Sequence, residues 1–68
     1  MDAFQQEIEL TKQYFNLDEI LAFQIENDVQ VIRGGDYLYM CYINKGCYEI
    51  GLTPMYALVF GINKFKEI

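Results

Sequence analysis

Apolar residues recur along the first 27 positions at helical spacing. Phe4, Ile8, Thr11 and Phe15 fall at i, i+4, i+7 and i+11, and Leu10, Tyr14, Leu17 and Leu21 make a neighbouring stripe. The stretch has no Gly or Pro in its interior. Asn16 is its weak point, because its side chain suits an N-cap and Glu19 stands three residues later, as in a capping box. Asp18 and Glu19 also suit the positive end of a new helix. The pattern predicts two helices, about 3–14 and 17–27, bent near Asn16, with a single continuous helix as the alternative.

From Val29 the period falls to two. The runs 29–33, 37–43 and 47–52 are rich in Val, Ile and Tyr and read as three strands of an antiparallel meander. Gly34-Gly35 reads as the first hairpin turn, since glycine tolerates positive φ. Asn44-Lys45-Gly46 reads as the second, with Gly46 as a left-handed bulge that pairs Ile43 with Cys47 and Cys41 with Glu49. In that register Leu38, Met40, Tyr42, Tyr48, Ile50 and Leu52 share a face, expected to be the core side. Ile32, Tyr37, Tyr39, Cys41, Ile43, Cys47 and Glu49 occupy the other, which is too apolar for a plain solvated surface and needs a helix or a partner to cover it.

Thr53-Pro54 marks a helix start, a capping hydroxyl followed by proline at the first helical position. Met55, Leu58, Val59, Ile62 and Phe65 then align on one helical face, and Lys64 and Lys66 suit its C-terminal end. Gly61 and the β-prone run 56–62 make a fourth strand the alternative to a helix over about 54–66. The expected fold is a single small α+β domain in the order α-α-β-β-β-α, spanning 1–68.

Composition adds what the pattern cannot. With 53% hydrophobic residues, including 6 Tyr and 5 Phe, the 68-residue chain carries more apolar surface than so short a core readily buries. That excess predicts a homo-oligomer or another protein partner. The net charge of −5 is lopsided. Residues 1–28 hold seven acids against Lys12, a net of −6, and residues 29–68 hold three acids against four bases, a net of +1. Such acidity repels phosphate backbones and argues against direct nucleic-acid binding. No run reaches the ~20 apolar residues of a membrane span, and the acidic start is unlike a signal peptide, so a cytoplasmic location is expected. The preference for Phe, Tyr, Met, Ile, Asn and Lys over Gly, Ala, Arg and Pro, 30 residues against 10, follows AT-rich codons and points to a low-GC bacterium or one of its phages.

Candidate chemistry is sparse. The chain has no His and no Ser, so the usual proton shuttle and the usual hydroxyl nucleophile are both missing. Cys41 and Cys47 lack zinc-ligand spacing and stand diagonally in the expected register, too far apart for a disulfide. No catalytic residue, metal or cofactor is therefore expected, and the chain reads as a non-enzymatic protein-binding module. Its expected contact residues are Tyr37, Tyr39 and Ile43 on the second sheet face and Glu7, Glu9, Asp18 and Glu19 on the acidic helices. The alternative is a phage or mobile-element inhibitor whose acidic helices block a basic, nucleic-acid-binding surface of a host protein.

Overall fold

The computed structural model describes residues 2–67. Three side chains set the starts of its three helices. Asp2 accepts a hydrogen bond from the Gln5 amide (2.8 Å) and opens α1 (Ala3–Tyr14). Asn16 accepts from the Glu19 amide (3.1 Å) and opens α2 (Leu17–Glu26). The Thr53 hydroxyl accepts from the Tyr56 amide (3.2 Å) and opens α3 (Pro54–Glu67). Each bond satisfies one of the amides that a helix leaves unpaired in its first turn. Phe15 and Asn16 are extended, so the N-terminal segment is two helices. The capping box at Asn16 is only half formed, because the Glu19 carboxylate pairs with Lys66. Residues 54–67 are helix and not a fourth strand.

Between α2 and α3 lie β1 (Val29–Gly35), β2 (Leu38–Ile43) and β3 (Gly46–Gly51), an antiparallel meander in the order β1-β2-β3. Both turns differ from the sequence reading. The first hairpin turns at Asp36-Tyr37, and Gly34 is an extra residue between the Arg33↔Tyr39 and Gly35↔Leu38 pairs. Among the described residues no glycine has a positive φ, so the Gly34-Gly35 turn is corrected. Arg33 steadies this end by bonding the Gly35 carbonyl (3.0 Å) and the Asp36 carboxylate (3.2 Å).

The second hairpin is a two-residue turn in which Asn44 (φ 50°) and Lys45 (φ 74°) are both left-handed, the primed geometry that matches strand twist. Ile43 therefore pairs with Gly46, and Tyr42 with Cys47. The expected Cys41↔Glu49 pair is nevertheless present, because Tyr48 is an extra residue that restores the register. The bulge belongs at Tyr48, not at Gly46.

These two irregularities decide which face is inside. Cys41 and Ile43 are the most deeply buried side chains of the sheet, joined by Val29, Val31, Tyr39 and Tyr48. The opposite face, with Ile32, Met40, Tyr42 and Ile50, is the outer one, so the expected assignment of faces is reversed. Ile32 pairs with Met40 and lies on the outer face, away from Tyr39.

The core is built around α3. On the sheet side its Gly61 lies against Cys41, so close that a Cβ there would stand 2.6 Å from Sγ and 2.9 Å from Cβ. That approach, and not strand character, explains the glycine. On another side Val59 and Ile62 face Ile20 and Tyr14 of the N-terminal helices. Phe65 is wedged edge-on between Phe23 of α2 (5.4 Å) and Tyr48 of β3 (5.2 Å). Phe60 meets Tyr14 of α1 edge-on (5.4 Å) and stacks on Tyr56 (4.5 Å). The result is three layers, the sheet, then α3, then α1 and α2, with Met55 left exposed at the start of α3.

Candidate interaction surfaces

The structure separates the residues that sequence reasoning grouped together. Ile43 is 1% exposed beneath α3 and offers nothing to a partner. Tyr39 is half-buried on the same inner side. Tyr37 lies in the β1–β2 turn, 67% exposed, with its ring edge-on to Phe4 at 6.2 Å. A shallow cleft of about 550 Å³ opens there, lined by Asp2, Ala3, Phe4, Tyr37 and Leu52. Its one charged group gives no convergent polar set to orient a small ligand.

The acids divide in the same way. Glu7 is turned inward, and its carboxylate accepts from the amides of Leu52 (2.8 and 2.9 Å) and Thr53 (3.2 Å). It ties α1 to the junction of β3 and α3. Glu19 is held by Lys66, whose ammonium also lies 5.7 Å from the Phe23 ring centre. Glu9 and Asp18 are exposed on the helices, as are Glu26 and Asp28 beyond them.

The exposed apolar residues that sequence reasoning did not count as a surface lie on the outer sheet face. Ile32, Leu38 and Ile50 are exposed there, Ile50 by 54%, beside the half-buried Met40 and Tyr42. A groove of about 310 Å³ crosses this face between Asp28, Gln30, Ile32, Tyr42 and Lys45. A second apolar row runs along α2, where Leu17, Leu21 and Ile25 repeat every four residues and Ile25 is 85% exposed. Leu17 and Leu21 were visible in sequence as part of a stripe with Leu10 and Tyr14. That this row points outward, while Ile20 and Phe23 point inward, was not.

Groups with chemical potential are already engaged. Glu49 bonds the Ile50 amide (3.0 Å) and pairs with Lys64 (3.3 Å). Tyr56 stands near both Glu49 and Glu7, and burial, then those carboxylates, push its hydroxyl above its ordinary range, Lys64 opposing. The thiols lie on opposite faces, contrary to the expected shared face, because the Tyr48 bulge turns Cys47 outward. Cys41 is fully buried, and burial first, then Cys47 and Glu49, raise its pKa to about 11. Among the described residues no cluster of His, Cys, Asp and Glu could hold a metal ion, and no helix is long and apolar enough to cross a membrane. Comparison with protein-family models, curated proteins and solved structures yields no match.

Proposed function

We propose that this chain is a non-enzymatic protein-binding module that works by self-association through its sheet layer. The observation that carries the reading is the bare outer face, on which Ile32, Leu38 and Ile50 are exposed together. Contiguous apolar exposure of this kind marks binding surfaces in small proteins. The engagement of Glu7 and Glu49 in backbone and ion-pair contacts supports a role without catalysis. Molar mass by light scattering tests it. Twice the 8.0 kDa of the chain is expected at high concentration, and 8.0 kDa at every concentration sinks the reading.

A second reading draws on the exposed row of Leu17, Leu21 and Ile25, which is flanked by Asp18 and Glu26. An amphipathic, acid-bordered helix suits a partner with an apolar groove and a basic rim, as an inhibitor of a nucleic-acid-binding protein would require. Charge-removal variants for this reading belong at Glu9, Asp18 and Glu26, because Glu7 and Glu19 have intramolecular partners. If the triple Gln variant binds a Lys/Leu amphipathic peptide as tightly as the parent at low salt, the electrostatic version fails.

A further inference from the structure

The two edges of the sheet are not alike. Along β3 the Ile50 amide points away from β2 and donates to the neighbouring Glu49 carboxylate (3.0 Å). Tyr48 bulges there, and the next amides, Leu52 and Thr53, donate to Glu7. A bulge and an inward carboxylate are the usual means by which an edge is closed to further pairing.

Along β1 the one irregularity, the extra Gly34, lies at the hairpin end, and among the described residues no side chain accepts from the Val29 or Val31 amide. The Asp28 backbone carbonyl accepts from the Asn44 amide (2.8 Å), and Asp28 and Asn44 continue the register that pairs Gln30 with Tyr42 and Ile32 with Met40. Because bonding to a given neighbour alternates along an antiparallel strand, Gln30 and Ile32 turn their amides toward β2. Val29, Val31 and Arg33 therefore present their N–H and C=O groups outward. The strand is seven residues long, and its only side-chain charge is Arg33.

We propose that β1 pairs with β1 of a second copy, antiparallel about a two-fold axis at Val31, making one continuous six-stranded sheet. This rests on the self-association reading and names the contact that carries it. The axis sets Val31 against its own equivalent and Val29 against Arg33 in both directions. Each of these three pairs exchanges two hydrogen bonds, about six in all. Antiparallel pairing sets each Arg33 beside Val29 of the other copy, whereas parallel pairing would set Arg33 beside Arg33. The symmetry closes after two copies, so no open filament follows.

Pairing also changes the bare face. Three strands about 4.8 Å apart and roughly 20 Å long offer a platform of roughly 300 Å². Six strands double that platform and bring the two Ile32 side chains near its centre.

The test combines light scattering with amide exchange on the intact chain. Wild type is expected to be a dimer in which the Val29, Val31 and Arg33 amides exchange about ten-fold more slowly than after dilution to monomer. Val31→Pro removes an outward N–H and no bond to β2, and is expected to be a folded monomer by circular dichroism. Ile50→Lys, on the far strand, is expected to remain a dimer. A dimer whose three amides exchange as fast as in the monomer overturns the proposal. So does an Ile50→Lys monomer beside a Val31→Pro dimer, a result that leaves self-association standing through the outer face. A wild-type monomer at every concentration overturns both. If Val31→Pro fails to fold, amide exchange in the wild type decides alone.

Discussion

Replacing Gly61 with alanine tests the central contact of the fold. Helix propensity alone favours the change by about 1 kcal/mol, since Gly61 sits in the middle of α3. Packing opposes it. The new methyl would lie 2.6 Å from Cys41 Sγ and 2.9 Å from its Cβ, and the second atom cannot rotate away. Normal carbon contacts need ~3.5 Å or more, so α3 must lift from the sheet by several tenths of an ångström. A lift of that size weakens dispersion contacts along Ala57, Ile43 and Cys41, and overpacking of this kind costs about 1–3 kcal/mol. Offsetting this by the propensity gain leaves a net loss of about 0–2 kcal/mol, or up to roughly 15 °C in Tm for a domain of this size. Urea denaturation followed by circular dichroism should be run on Gly61→Ala, Cys41→Ala and the double variant. Removing Sγ abolishes the shorter contact but leaves the Cβ contact, so the alanine at 61 should cost about 1 kcal/mol less in the Cys41→Ala background. A Gly61→Ala protein more stable than wild type, or a cycle with no coupling between the two sites, would refute the packing argument.

Three further outcomes concern Glu7 and the thiols. Glu7→Ala strips the carboxylate from the Leu52 and Thr53 amides and should lower stability by about 1.5–3 kcal/mol in urea denaturation, with Glu9→Ala changing it by under about 0.5. Native protein at pH 8 should react at Cys47 with a thiol reagent within the mixing time and at Cys41 only through unfolding. Because the folded state keeps the Cys41 proton up to about pH 11, against an ordinary value of 9.0, this thiol's contribution to stability is intact below pH 9 and falls as pH rises through that window. Thermal melts of Cys41→Ala should accordingly show a shallower decline over the same pH range.

The six elements were legible in the sequence because their signals are local. Asn16 and Thr53-Pro54 announce helix starts within one turn, and the strands are set by runs of β-branched and aromatic residues between turn residues. The orientation of the sheet was not legible, because it depends on where single extra residues fall. Gly34 looks like a turn glycine but serves as the extra residue before an Asp36-Tyr37 turn, which moves Ile32 to the other face. Tyr48 looks like an ordinary strand position but bulges so that both it and Glu49 lie on the α3 side, near Phe65 and Lys64. Each choice is made by a residue distant in sequence. One clue was available: Ala57 and Gly61, four apart on α3, are the small pair that a close helix–sheet approach requires. Sequence reasoning counted Gly61 only toward the alternative of a fourth strand, and the register it took for the second turn put Tyr39 and Ile43 on the wrong side. The same non-locality hid Glu7, whose role depends on amides 45 and 46 residues away.

With one helix forming the middle layer, each outer layer has only one face to bury. The far side of the sheet and the far side of α2 must then be exposed whatever residues they carry, and in this chain both carry apolar ones. Charge tells the two surfaces apart. Residues 29–51 hold Arg33, Lys45, Asp36 and Glu49, a net of zero, while residues 2–28 hold seven acids against Lys12, a net of −6. A neutral sheet layer can approach its own copy without repulsion, whereas two acidic helix layers brought together would oppose one another. On the reading proposed above, self-association belongs to the sheet layer, and the row of Leu17, Leu21 and Ile25 is left for a partner of opposite charge.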